Sequence, residues 1–479
     1  MSDELITAPQ ESRPLGSGAP RRTPRSPSEL APVSFQQEYL WNTQRSNPCD
    51  NIPLPVSLRL AGDLNVDCLQ AALQEVVRRH ESLRTRICVV DGIPKQQIEE
   101  EGEYRLMQVD LRTASHDGNL NGAARSLVEQ FISRPMDLAA DPLFQVQLIT
   151  LSDQEHVLAI AIHHIITDGS SNLLLFRELW SLYGSFVRGR PSTLPDLPLQ
   201  YADYAIWQRR THGRWLERHA GYWQKRLDRA VRIKWPVDSD VKNTGFPTVV
   251  AWPFSFGATL SSKLLDLARR ERVMPAMLSV ALYAALVSNW CRQRDFVIPF
   301  TIAGRDHPEL NNIVGLFSQA VLMRIELSGC ATFIDLLHFV TKEFAAAWQH
   351  LDCSKVIGTA PELGSTYMQW VSWTPEDMAG TRTPTDWHNC APHLSIETFL
   401  EGYQPEGVRV EWEANLRFWN TAGDIHVYAR YRTDIFTEDT MRSVSQKLVL
   451  IAENVTRDPR MCVESSGDSL VREDTNVTD

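Results

Sequence analysis

Residues 157–169 read Val157-Leu158-Ala159-Ile160-Ala161-Ile162-His163-His164-Ile165-Ile166-Thr167-Asp168-Gly169, and that order decides the fold class. Six apolar residues in succession predict a strand buried on both faces of a sheet. From Leu173 to Val187 the apolar residues recur at helical spacing, and Gly189 and Pro191 stop them. Residues 156–189 therefore form a strand, a turn at Asp168-Gly169 and a helix. Adjacent strand residues point to opposite faces, so one histidine should face a cleft and the other should face packing. A metal shared between them is geometrically awkward. In the turn, Asp168 can orient backbone or pair with an arginine, and Gly169 lets a substrate or side chain approach the main chain. The bland alternative is that both imidazoles are satisfied core groups beside an ordinary Asp-Gly turn.

Outward from this unit, strand-like runs such as Asp295 to Ile302 alternate with amphipathic segments, which argues an α/β or α+β chain. Between Leu64 and Leu83 apolar residues at 66, 69, 73, 76 and 77 trace one helix face, with Asn65 or Asp63 available as N-cap. Leu260 to Trp290 reads as one long helix or two shorter ones, with Ser261 near the start. At 479 residues the chain is too long for a single core, so two lobes are expected. The divisions are a disordered Pro, Ser, Gly and Arg-rich tail at 1–32, a first lobe at 33–231, a polar Pro-bearing linker at 232–248, a second lobe at 249–460 and an acidic tail at 461–479.

Composition narrows the function. With 48 Lys+Arg against 59 Asp+Glu the net charge is -11, which repels a phosphate backbone, so a nucleic-acid partner is not expected. No apolar stretch approaches the roughly 20 residues a bilayer requires, so no membrane partner is expected either. Eight cysteines stand singly without CxxC pairs, and no apolar h-region follows a basic start. Reduced thiols in a cytoplasm are expected. A GxSxG elbow, a P-loop, an HExxH pair and a strand-associated GxGxxG are all missing, which disfavours a standard hydrolase, P-loop NTPase, zincin or dinucleotide enzyme. Gly467-Asp468-Ser469-Leu470 reads like the serine site of a carrier protein. Too few residues follow it to build a carrier bundle, so it is taken as chance.

The His163–Gly169 segment resembles the HHxxxDG signature of nonribosomal peptide synthetase condensation domains, and further segments follow in the expected order. Ser34 to Trp41 looks like the family's opening motif, and Arg79 to Arg86 like its second. Pro142-Leu143-Phe144 resembles the lead-in to the histidine strand, and Tyr201 to Trp207 the motif after it. Ala303-Gly304-Arg305, Val314 to Phe317 and Arg324 resemble the second-lobe signature. The likeness spans about residues 34 to 460. It implies two chloramphenicol-acetyltransferase-like lobes forming a V with a tunnel between them, entered by phosphopantetheine arms. It further implies that His164 is the catalytic histidine, that His163 is its mainly structural neighbour, and that a buried arginine holds Asp168. Arg305 and Arg84 are the candidate partners. Departures from the pattern fall at Gln319, where Asn is usual, at Ser170 for Trp and at Trp348 for His. Gln319, Ser318, Ser395 and Trp348 are the tunnel or substrate candidates, with His393 to Glu397 resembling the segment that closes the tunnel floor.

The resemblance implies a stand-alone condensation enzyme. It would move an acyl group from a carrier-protein thioester to an amine or hydroxyl acceptor, in nonribosomal peptide or hybrid polyketide biosynthesis. The acceptor would be a small molecule or carrier-bound. No adenylation or carrier domain is recognisable, so an acyl or peptidyl carrier protein is expected to act in trans. No cofactor is expected on the enzyme itself, the phosphopantetheine arriving on the carrier, and no metal. An acyl-CoA-dependent acyltransferase is the runner-up. Epimerisation is a third option, lacking a neighbouring carrier. Heterocyclisation is disfavoured because that subgroup carries an Asp pattern in place of the histidines. A recruitment domain without activity is the non-enzymatic alternative, and the intact His163, His164, Asp168 and Gly169 argue against it.

Overall fold

A computed structural model describes residues 18–26, 29–46, 53–113, 119–238, 249–351, 363, 366–371, 394–400, 413–421 and 423–466. The apolar run becomes β7 (Glu155–His163), every residue of which after Glu155 is buried. It is buried on both faces because it is central. Antiparallel neighbours β2 (Pro53–Gly62) and β6 (Phe144–Ser152) flank it. Its Leu158, Ile160 and Ile162 meet α2 (Val66–Arg79) and α4 (Gly169–Val187), while Val157 and Ala159 meet α3 (Leu120–Ser133). Asn65, rather than Asp63, caps α2 by accepting from Cys68 N at 2.9 Å. The edges of this five-stranded sheet are β5 (Met107–Asp110) and β12 (Leu394–Thr398). β12 thus returns from the second half of the sequence to complete the first lobe. A small sheet of β1 (Ala31–Pro32), β4 (Ile93–Ile98) and β3 (Thr85–Val90) lies beside it.

The second lobe holds a six-stranded sheet in the order β10 (Gln319–Glu326), β9 (Asp295–Ile302), β11 (Thr366–Val371), β13 (Ala414–Thr421), β14 (Asp424–Arg432), β8 (Val249–Ser255). One face packs on α6 (Gly257–Glu271), α7 (Pro275–Cys291), α8 (Phe333–Trp348) and α9 (Glu438–Arg457). The 260–290 region is two helices bent by 109°. Arg272 ends α6 in the left-handed region at φ 56°, and Pro275 starts α7, so neither helix can continue through the other. Ser261 sits inside α6, donating to Asp424 Oδ1 at 2.9 Å. The long α5 (Tyr201–Arg226) runs between the lobes. No single described helix is long and apolar enough to cross a membrane.

Two expectations need correction at the ends of the lobes. The described part of the 1–32 segment is docked, because Arg25 pairs with Glu81 at 2.7 Å and Trp207 Nε1 donates to Gly18 O. Residues 461–466 are likewise packed: Val463 and Ser466 are buried, and Asn289 donates to Val463 O. Of the linker, Ile233 and Trp235 already belong to the second-lobe core, and 239–248 lie outside the described residues. So do the 467–470 serine motif and three of the eight cysteines. The five described cysteines are free thiols.

Candidate active site

His163 ends β7, and a single 3-10 turn over His164–Ile166 follows before α4 begins at the half-buried Gly169. The turn separates the two rings: His163 is fully enclosed and His164 is half-buried. Backbone contacts also give them opposite tautomers. His163 Nδ1 accepts from Ile165 N at 3.0 Å, so in the neutral ring Nε2 carries the hydrogen. Gln44 Nε2 lies 3.1 Å from His163 Nε2, and because that ring nitrogen carries the hydrogen the tautomer requires the Gln44 amide to be turned so that its oxygen accepts. His164 Nδ1 lies 2.8 Å from Thr167 O, which can only accept, so Nδ1 carries the hydrogen and Nε2 presents a lone pair. Burial pushes the His163 ring down to about 3. Burial also holds His164 below its ordinary value; the Thr167 carbonyl and Asp168 pull it back, and the Arg417 charge pushes it further down.

Asp168 is a joint between the lobes. As N-cap of α4 it accepts from Ser171 N at 2.7 Å, while its other oxygen accepts from Phe317 N at 2.9 Å and Ser318 N at 3.0 Å in the second lobe. Arg305 stands 3.6 Å from the carboxylate and lies over the Phe317 ring at 4.3 Å. It donates to Ser171 Oγ at 2.7 Å, to Ile313 O at 2.9 Å and to Leu310 O. Burial lowers the Arg305 guanidinium from its usual value, with Asp168 acting the other way. Three other motif segments interlock at the same point. Tyr201 donates to Leu316 O at 2.6 Å and meets the Ser34 hydroxyl at 2.7 Å, and Gln37 donates to Ile165 O at 3.0 Å. Gly304 has φ +66°, and a Cβ there would lie 2.0 Å from Phe317 O. A Cβ on Gly315 would lie 1.9 Å from the Tyr201 ring. Segments dispersed from residue 34 to residue 318 thus build one cradle for the His164 turn.

Not every candidate comes to it. Arg84 does not hold Asp168; it donates to Glu99 O in the first lobe. Ser395 is exposed on β12 opposite Ala61, which is itself opposite Glu155, the end of β7 remote from His163. Eight residues of strand make that about 26 Å. Trp348 packs on Phe344 in the second-lobe core, ring centroids 5.5 Å apart. Ser318 reaches the site through its backbone N–H, and Gln319 is buried as the first residue of β10. His393 lies outside the described residues. Sequence reasoning missed Thr167, Gln44 and Arg417. Thr167 lies inside the quoted motif and its carbonyl is what any histidine three residues earlier could use, whereas Arg417 gave no signal beyond sitting in an alternating strand.

A family model described as "Condensation domain" matches residues 28–354. Phosphinothricin tripeptide synthetase PhsC of Streptomyces viridochromogenes is 30% identical over 446 residues, 91% of this chain and 40% of that protein. The chain therefore spans well under half of this relative. Among solved structures, the X-domain from teicoplanin biosynthesis superposes with a TM-score of 0.77 at 26% identity, covering 93% of this chain and 99% of that one. The first condensation domain of the CDA synthetase gives 0.68 at 17% identity, covering 92% and 99%, and shares the fold.

Proposed function

The chain belongs to the condensation-domain family, and from that premise we propose that it transfers an acyl group from a carrier-protein thioester to an amine or hydroxyl acceptor, with His164 as the catalytic residue. The observation that carries this is the His164 tautomer, with Nδ1 tied to Thr167 O and Nε2 left as a base on a half-buried ring. A depressed pKa keeps that base unprotonated at neutral pH. Nε2 takes the acceptor proton as the acceptor nitrogen or oxygen bonds to the thioester carbonyl carbon. The C–S bond then breaks, and the departing sulfur recovers the proton from His164. Phosphopantetheine on the carrier supplies the activated acyl group, so the protein's contribution is alignment and proton transfer. His163, Asp168 and Arg305 are positioning residues, and Gly169 gives the acceptor access to the main chain at the start of α4.

The test is intact-mass detection of acyl loss from candidate carrier proteins with a panel of amines and alcohols, alongside the same acyl groups on coenzyme A. Discharge of the carrier is expected; turnover of acyl-CoA with no carrier would favour the runner-up acyltransferase. His164→Ala should lower ester formation by about 10²–10⁴-fold and amide formation by less, because an amine needs less help losing its proton. Equal losses on matched acceptors would count against the base. The similar X-domain is also found in complex with OxyB, which favours a second reading, a domain that only recruits other proteins. Product formation undiminished by His164→Ala in a reconstituted pathway would support it.

A further inference from the structure

In β11, β13 and β14 the residues Met368, Leu416, Phe418, Val427 and Ala429 are buried toward the helices. The opposite face is polar. Register places Tyr367 beside Asn415, Asn415 opposite Arg430, and Arg417 two residues further along that face. Tyr367, Arg417 and Arg430 are half-buried, and both guanidinium groups hydrogen-bond the one phenol. Among the described residues Arg417 Nε–H has no acceptor, and Asn415, fully buried, leaves both amide atoms without a partner. Buried polar groups in that condition are costly unless something binds there. The field is strongly positive. Burial and the Arg417 charge push Arg430 down to about 10, and the two cations outweigh burial to hold the Tyr367 phenol below its usual value. Arg417 is also close enough for its charge to act on His164.

We infer that Asn415, Arg417, Arg430 and Tyr367 bind a carboxylate of the acceptor that reacts at His164, so that the acceptor is a diffusible amino or hydroxy acid. The inference rests on the acyl-transfer reading of His164. The chemistry selects the acceptor among the anions that could reach this place. The phosphate of a phosphopantetheine arm lies at the end remote from the reacting sulfur. A donor, or a carrier-bound acceptor, has its α-carboxyl group consumed in the thioester. A free α-carboxylate beside the reacting nucleophile belongs to an acceptor that is not tethered, and paired guanidinium and amide donors suit its two oxygens.

The experiment compares L-serine, L-phenylalanine and L-lactate with their carboxamides as acceptors, using a carrier that the discharge assay shows to be a donor. Each pair keeps the nucleophile and removes the charge. The acid should be preferred, and in Arg417→Gln and Arg430→Gln the ratio of kcat/KM for acid over carboxamide should fall about tenfold to a hundredfold. Arg417→Lys should recover part of it. A wild-type enzyme with no preference for the acids, or a ratio untouched in both folded variants, overturns the inference while leaving acyl transfer intact. Should the discharge assay find no carrier that loses its acyl group to any acceptor, the acyl-transfer reading fails instead. Calorimetry with benzoate against benzamide then decides the anion site by itself: benzoate binding lost in Arg417→Gln supports it, and equal or absent binding of both removes it.

Discussion

Arg305 makes three hydrogen bonds and covers the Phe317 ring, work that depends on a planar fork. Arg305→Lys keeps the charge but cannot reach Ser171, Leu310 and Ile313 together. Thermal or urea unfolding should show a loss of about 1–3 kcal/mol, accompanied by slower transfer. His163 sets a pH dependence of its own. Its ring titrates near 6.5 in the unfolded chain and at about 3 in the fold. Between those values the unfolded chain binds a proton that the native state refuses, so stability falls on acidification below pH 6.5, by about 1.4 kcal/mol per pH unit where steepest. Above 6.5 the effect is absent. Urea midpoints at pH 7 and pH 5 should converge in His163→Gln relative to wild type. For His164 the depressed pKa places the acid limb of kcat/KM below the usual imidazole range, and Arg417→Gln should move that limb upward as a repelling charge is removed.

At the level of elements, the loop from Gly304 to Phe317 is fixed by close backbone approach. Gly304→Ala places a Cβ against a carbonyl oxygen in a left-handed conformation, and should cost at least about 1–2 kcal/mol in a denaturation series. Elements were legible in the sequence where their cause is local. The Val157–Ile162 core of the histidine strand, a cap at Asn65 or Asp63 and the stop near Gly189 all follow from patterns a few residues long. The role of the β13–β14 hairpin was not legible. Its alternation is plain in Asn415-Leu416-Arg417-Phe418 and Val427-Tyr428-Ala429-Arg430, yet alternation says only that one face is polar. Whether that face meets bulk water or His164 depends on how the lobes pack. Arg84 failed for a related reason: from the 3-10 turn before β3 it donates to Glu99 O just past β4, while Arg305 arrived at Asp168 from the other lobe.

For the molecule as a whole, the Asp168 carboxylate ties the first lobe's His164 turn to the second lobe's Phe317-Ser318 backbone. The lobes should therefore melt in a single calorimetric transition, and Asp168→Ala should split it in two, since each sheet keeps a core of its own. The crossing strand β12 carries a consequence for biosynthesis. Leu400 N donates to Ser57 Oγ across 343 positions. While the ribosome lengthens the nascent chain at about 5–20 residues per second, the β2 edge waits on the order of tens of seconds for its partner. During that interval the strand has one unpaired edge, so chaperone demand should persist until residues 394–398 have been made.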